Sequence, residues 1–194
     1  MLFRSLFEAA FPNLATGSFL NDFTGTNGAI SNYNASGNGF SYAATQSGGN
    51  PQTTFRANNL LQTNLSGLDL IFTATGGNYN AIGGNFFRTD SSGVFSAGSI
   101  TVTVSNGTET AFQTYTPTSA TAGSFRGFVS TLPIATLTIT GAPEGSGLYN
   151  SADNLRVGTT VASVNTAAPE PGSLALLLPV LGMVGMGIRK RRKA

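Results

Sequence analysis

Between residues 19 and 157 the chain alternates short apolar runs with clusters of turn residues. The cleanest run is 99–105 (SITVTVS). Ile100, Val102 and Val104 fall on one face and Thr101 and Thr103 on the other, the period-two pattern of a half-buried strand. Residues 136–140 (TLTIT) repeat the alternation. Strands are predicted at 19–23, 39–43, 68–74, 81–88, 99–105, 110–115, 124–130, 135–140 and 154–157. Within 68–72 (LDLIF) the apolar residues are more continuous, as in a strand buried on both faces. The separators are turn chemistry: Gly25-Thr26-Asn27-Gly28, Ser47-Gly48-Gly49-Asn50-Pro51, Gly76-Gly77-Asn78, Asp90-Ser91-Ser92-Gly93 and Gly141-Ala142-Pro143. Asn106-Gly107 is the residue pair of a two-residue hairpin turn. Many short strands with such spacing predict an all-β antiparallel sandwich.

The last 26 residues follow a different pattern. Pro169-Glu170-Pro171 leads into residues 171–188, which carry no charge, and Arg189, Lys190, Arg191, Arg192 and Lys193 follow at once. Eighteen residues at the helical rise make about 27 Å, the short end of what crosses a hydrocarbon core. A single C-terminal transmembrane helix is therefore predicted, kinked at Pro179. Lys and Arg flanking a span stay on the cytoplasmic side, which puts the sandwich outside. The five cations also snorkel and lengthen a short span. Two prolines around Glu170 hold the backbone extended and presentable at the membrane face.

This order of parts resembles the PEP-CTERM sorting signal of Gram-negative bacteria over residues 169–194. The resemblance implies processing by a membrane-embedded exosortase near Pro169, Glu170 and Pro171, and passage of the body to the cell surface or the exopolysaccharide matrix. The order of runs in 81–158 is similar to the jelly-roll-like bodies of that group, which implies a jelly-roll-like antiparallel β-sandwich. The alternative on the residues alone is an uncleaved single-pass membrane protein with a periplasmic binding or adhesion module.

Charge sharpens this division. Residues 1–168 hold five Arg against seven acids, a net of −2, so the sequence pI of 9.2 comes from the tail. The body offers no basic surface for nucleic acid. The chain has no Cys and no His, which removes thiol chemistry, the commonest general base and the commonest metal ligand. No catalytic constellation is found, and nothing in the sequence pairs two carboxylates as a glycosidase needs. A non-enzymatic protein is expected, without a required cofactor.

Two weaker signals remain. Asp153, expected at the start of the last strand, is the candidate for a structural Ca²⁺. Resemblance to sugar-binding sandwiches implies a second acid from the N-terminal segment, Glu8 or Asp22. The alternative is an Asp that bonds nearby backbone. Asp90-Ser91-Ser92-Gly93 reads first as a type I turn and second as a Ca²⁺ loop. Phe86, Phe87, Phe125 and Phe128 are expected in the core; Phe86 and Phe87 must face opposite ways, so one lines a groove or lies under a loop. Tyr33, Tyr42, Tyr79, Tyr115 and Tyr149 are expected in or near loops, where a phenol ring stacks on a sugar.

The chain divides into an N-terminal segment (1–18), the sandwich (19–158), a polar flexible linker (159–168) and the sorting and anchor segment (169–194). Residues 4–11 read as a short amphipathic helix. No secretory signal is visible there, so the native start is expected upstream. Residues 1–5 (MLFRS) match translation of a sequencing adapter from a GTG start.

Overall fold

A computed structural model describes the backbone of residues 3–6, 18–25, 28–30, 33–48, 54–57 and 59–160, with side chains for all but 3–6 and 54–57. The described residues form strands β1 (Phe3–Leu6), β2 (Phe19–Asn21), β3 (Gly28–Ile30), β4 (Tyr33–Gly37), β5 (Phe40–Gln46), β6 (Thr54–Ala57), β7 (Leu60–Thr63), β8 (Leu70–Gly76), β9 (Ala81–Thr89), β10 (Phe95–Ser96), β11 (Ile100–Ser105), β12 (Thr110–Tyr115), β13 (Phe125–Ser130), β14 (Thr136–Thr140) and β15 (Tyr149–Gly158). There is no helix among them.

The strands make two antiparallel sheets. Six run in the order β12-β11-β14-β8-β5-β4. Nine make the other sheet, in the order β1-β13-β9-β15-β7-β6-β3, with β10 beside β9 and β2 beside β15. One apolar core lies between them. The six-stranded sheet sends in Tyr42, Phe72, Val102, Val104, Leu137 and Ile139; the nine-stranded sheet sends in Leu61, Ile82, Phe86, Phe128, Ala152, Leu155 and Val157. The alternation expected in 99–105 and 136–140 is present, with Ile100, Val102, Val104, Leu137 and Ile139 buried.

Several expectations change. β8 is not buried on both faces: Leu70 and Phe72 are fully buried, while Ile71 is half-buried and Thr73 is exposed. Its apolar density reflects one inward face plus one outward isoleucine. Asn106-Gly107 does not form a two-residue turn, because Ser105 pairs with Thr110 across a four-residue loop, 106–109. The Asn106 side chain selects that loop: its Oδ1 accepts from the N–H groups of Thr108 (3.0 Å) and Glu109 (2.8 Å). Residues 3–6 are an edge strand on β13, not the start of a helix. An isolated eight-residue helix is marginal in water, whereas the open edge of β13 offers ready ladder partners. Strands β3, β6, β7 and β10 are too short to show an alternation; β4 does alternate, with Tyr33 and Ala35 toward the core and Asn34 and Ser36 exposed, although no strand is predicted there.

Opposite Gly84, β15 carries a bulge between Asp153 and Arg156. Ala152 and Leu155 both point into the core, so the intervening Asp153 and Asn154 are swung out. Asn154 has φ 51°, a left-handed conformation that asparagine tolerates best after glycine. Gly84 leaves the room: a Cβ there would meet the Asp153 carbonyl oxygen at 3.1 Å.

Of the expected linker, Thr159 and Thr160 still belong to the ordered body. The Thr160 N–H donates to Asn80 Oδ1 at 2.8 Å. The rest of that linker, the sorting motif Pro169-Glu170-Pro171, the predicted span and the cations 189–193 lie outside the described residues, as does Glu8. Among the described residues no helix is long and apolar enough to cross a membrane.

Candidate functional site

Among the described residues, the outer face of the six-stranded sheet is an uncharged surface rich in hydroxyls. Its register places Thr136, Thr138 and Thr140 of β14 beside Thr101, Thr103 and Ser105 of β11. Thr110, Phe112 and Thr114 of β12 flank them on one side. Ile71 and Thr73 of β8 lie on the other, followed by Ala43 and Thr45 of β5. Asn34 and Ser36 of the edge strand β4 complete the face beside Ala43 and Ser41. None of these positions carries a charge, and none is buried.

The hydroxyls are cross-linked into short ladders: Thr101 and Thr114 Oγ1 lie 2.7 Å apart, and Thr75 Oγ1 donates to Ser41 Oγ at 3.0 Å. Rows repeat at the strand spacing of about 4.8 Å and along each strand at about 6.7 Å. Phe112, 70% exposed, is the one aromatic on this face. Such a surface gives neutral donors, acceptors and methyl groups on a sheet, and no charge to attract an ionic ligand.

The outer face of the nine-stranded sheet differs. Along β9, Ala81, Asn85, Phe87 and Thr89 are all buried on the side away from the core. The Phe87 ring packs under Phe95 of β10 at 6.2 Å, the covered position expected for one of the Phe86–Phe87 pair. Phe86 and Phe128 lie in the main core, and Phe125 in a satellite cluster with Ala81. Across the strands beside Phe87 runs a buried polar ladder. Thr89 Oγ1 donates to Gln62 Oε1 (2.8 Å) and lies 2.7 Å from Ser151 Oγ.

Asp153 sits in the middle of β15 at its bulge, not at the strand's start. Its Oδ1 accepts from the Asn154 N–H (2.7 Å) and its Oδ2 from Asn154 Nδ2 (2.9 Å), the local backbone bonding that was the alternative to a metal. Desolvation raises its pKa above the ordinary carboxylate value, and the charge of Asp22 raises it further. The fold does, then, bring Asp22 to Asp153. Asp22 is fully exposed, and its Oδ1 is engaged by the Thr24 N–H (3.2 Å) and Oγ1 (3.0 Å), which lower its pKa. Both carboxylates are occupied by local donors, and no cluster of three His, Cys, Asp or Glu is present among the described residues. The pair alone does not make a Ca²⁺ cage of six or more oxygens. Asp90 closes its own turn: Oδ1 accepts from Ser92 N (2.8 Å) and Val94 N (3.0 Å).

The tyrosines are redistributed. Tyr33, Tyr42 and Tyr79 bury their rings in the core: Tyr33 and Tyr42 from β4 and β5, and Tyr79 from the expected loop between β8 and β9. Asn21 Nδ2 donates to the hydroxyls of Tyr33 and Tyr42, each at 2.7 Å, which ties β2 to the opposite sheet. Burial raises the Tyr42 phenol far above its ordinary value and pushes Tyr79 up to about 12. Tyr115 is half-buried beneath the Arg126 guanidinium, 3.5 Å above its ring centre. Tyr149, the first residue of β15, lies next to a loop as expected and is half-exposed beside a cleft with Gln62, Thr63, Asn64 and Ser91. Sequence reasoning missed those four partners, since polar residues of β7 and of a turn carry no signal before β15 is laid beside them.

No protein-family model matches the chain, and neither does any curated protein. Among solved structures, the chain is similar to a family 11 carbohydrate-binding module from Clostridium thermocellum in complex with a beta-1,3-1,4-mixed-linked tetrasaccharide. The two share 15% identity and a TM-score of 0.32 over 76% of this chain and 98% of the module.

Proposed function

We propose that this chain is an exported, non-catalytic surface or extracellular-matrix protein whose jelly-roll-like sandwich beds against exopolysaccharide. Its C-terminal helix tethers it in the inner membrane with the body in the periplasm, until an exosortase acts at Pro169-Glu170-Pro171. The partners are the bilayer, the exosortase and a neutral polysaccharide, not nucleic acid. The order of parts in residues 169–194 carries the delivery half.

The uncharged hydroxyl face of the six-stranded sheet supports the other half. Neutral sugars offer the same mixture of hydroxyls and C–H surface, so donors and acceptors exchange without desolvating a charge. The lack of His and Cys, and the absence of any sequence signal that pairs two carboxylates, support the non-catalytic reading.

Replacing Pro169-Glu170-Pro171 with three alanines tests the delivery half in a host that has an exosortase. Cell fractionation should find the variant held in the inner membrane and the parent at the surface or in the matrix. If parent and variant both stay membrane-bound with intact tails, the protein is an uncleaved single-pass one. A pull-down on insoluble neutral glucan tests the other half: the parent should sediment with the polymer, and Thr138→Lys should not.

A further inference from the structure

At one end of the nine-stranded sheet the outer face sinks into a shallow cleft of about 160 Å³, lined by Gln62, Thr63, Asn64, Ser91 and Tyr149. These residues come from β7 and the turn after it, from the turn between β9 and β10, and from the first residue of β15. We infer that this cleft is a discrete site for one neutral pyranose ring, the end or a side branch of a polysaccharide chain. The site rests on the polysaccharide half of the proposed function and is separate from the sheet face described there.

Size limits the ligand first. Clefts that hold drug-sized molecules run to about 300–1,000 Å³. A volume near half the lower bound suits a single ring and not a run of them. Chemistry limits it next. Every lining side chain is an amide, a hydroxyl or a phenol, so no cation is present to recognise a uronate, sulfate or phosphate. Tyr149 adds a half-exposed ring, the surface on which the C–H face of a sugar stacks.

One polar group is held as a binding site needs it. Gln62 is 2% exposed, and its Oε1 is taken by the Thr89 hydroxyl at 2.8 Å, which Ser151 supports from behind. That bond fixes the amide and leaves the NH₂ end as its donor toward the cleft. Thr63, the next residue of β7, turns the other way: Leu61 two residues before it lies in the core, and the Thr63 Oγ1 is fully buried, so its hydroxyl is not offered to a ligand.

Binding of neutral monosaccharides and tetrasaccharides of gluco, galacto and manno configuration to the full chain in detergent, read by isothermal titration calorimetry, tests the site. A uronate tetramer serves as the charged comparison. One neutral sugar should bind; Tyr149→Ala and Gln62→Leu should each weaken it about tenfold or more, with unchanged circular dichroism. Thr63→Val, on the inner side of β7, should leave the affinity unchanged. The proposal is overturned if no neutral sugar binds, if the uronate binds better, or if the Tyr149 and Gln62 variants bind as the parent does. The glucan pull-down separates the levels: polymer binding without oligosaccharide binding sinks the cleft alone, and failure of both sinks the polysaccharide half with it.

Discussion

Leu137 and Thr138 are adjacent on β14 and face opposite ways, so substituting each in turn tests the register on which the whole outer face depends. Leu137 is fully buried at the centre of the six-stranded sheet, opposite Phe72 on β8 and Val104 on β11. Leu137→Ala removes its side chain from a closed site and leaves a cavity between two packed neighbours. The expected cost is about 2–5 kcal/mol. For a domain of this size each kcal/mol lowers the melting temperature by about 2–4 °C, so the loss is roughly 4–20 °C. Thr138→Ala removes a half-exposed hydroxyl and methyl lying between Thr103 and Ile71. Cross-strand threonine pairs are worth about 0.2–1 kcal/mol, so its loss is at most a few degrees. Thermal unfolding followed by circular dichroism on the full chain in detergent measures both. Because a one-residue slip exchanges the two faces, equal losses, or a larger one at Thr138, would show that the hydroxyl carpet points inward and would remove the surface on which polysaccharide binding rests.

Other consequences follow from buried polar groups and tight backbone. Tyr79→Phe deletes a buried hydroxyl that has no partner, and should leave stability unchanged or raise it by about 1 kcal/mol; Tyr42→Phe takes away an acceptor from Asn21 and should cost about that much, both read by urea unfolding. Asp153→Asn should raise the melting temperature by roughly 1–3 °C at pH 7. The sign comes from a carboxyl whose folded pKa is raised from 3.8, so the parent pays for ionisation as pH rises above that value; the gain should vanish below about pH 3.8. Added Ca²⁺ that stabilises the parent and not the variant would mean that Asp22 and Asp153 do hold a cation. Gly77 has φ 73° and a Cβ there would lie 2.3 Å from the Gly39 carbonyl oxygen, so Gly77→Ala should cost at least about 2 kcal/mol, measured by chemical denaturation.

The sequence alone was enough for the strands whose two faces differ in polarity. In 99–105 and 136–140 each threonine sits between residues that must leave water, so the period fixes both the strand and its inward side. It also separated a charged, apolar tail from a nearly neutral body, because charge and hydropathy are properties of composition. Tertiary structure decided what depends on a partner strand. β7 reads as a polar-ended fragment, yet Gln62 is buried because Thr89 and Ser151 are laid beside it from distant parts of the chain. Tyr33 and Tyr42 look like loop residues until Asn21 arrives from β2 to satisfy both hydroxyls. The bulge that turns Asn154 outward beside Asp153 exists only as a mismatch between β15 and β9. Local pattern reports which side of a strand is apolar; which strands meet, and so which polar groups share a cleft, is settled by long-range pairing that no local period encodes.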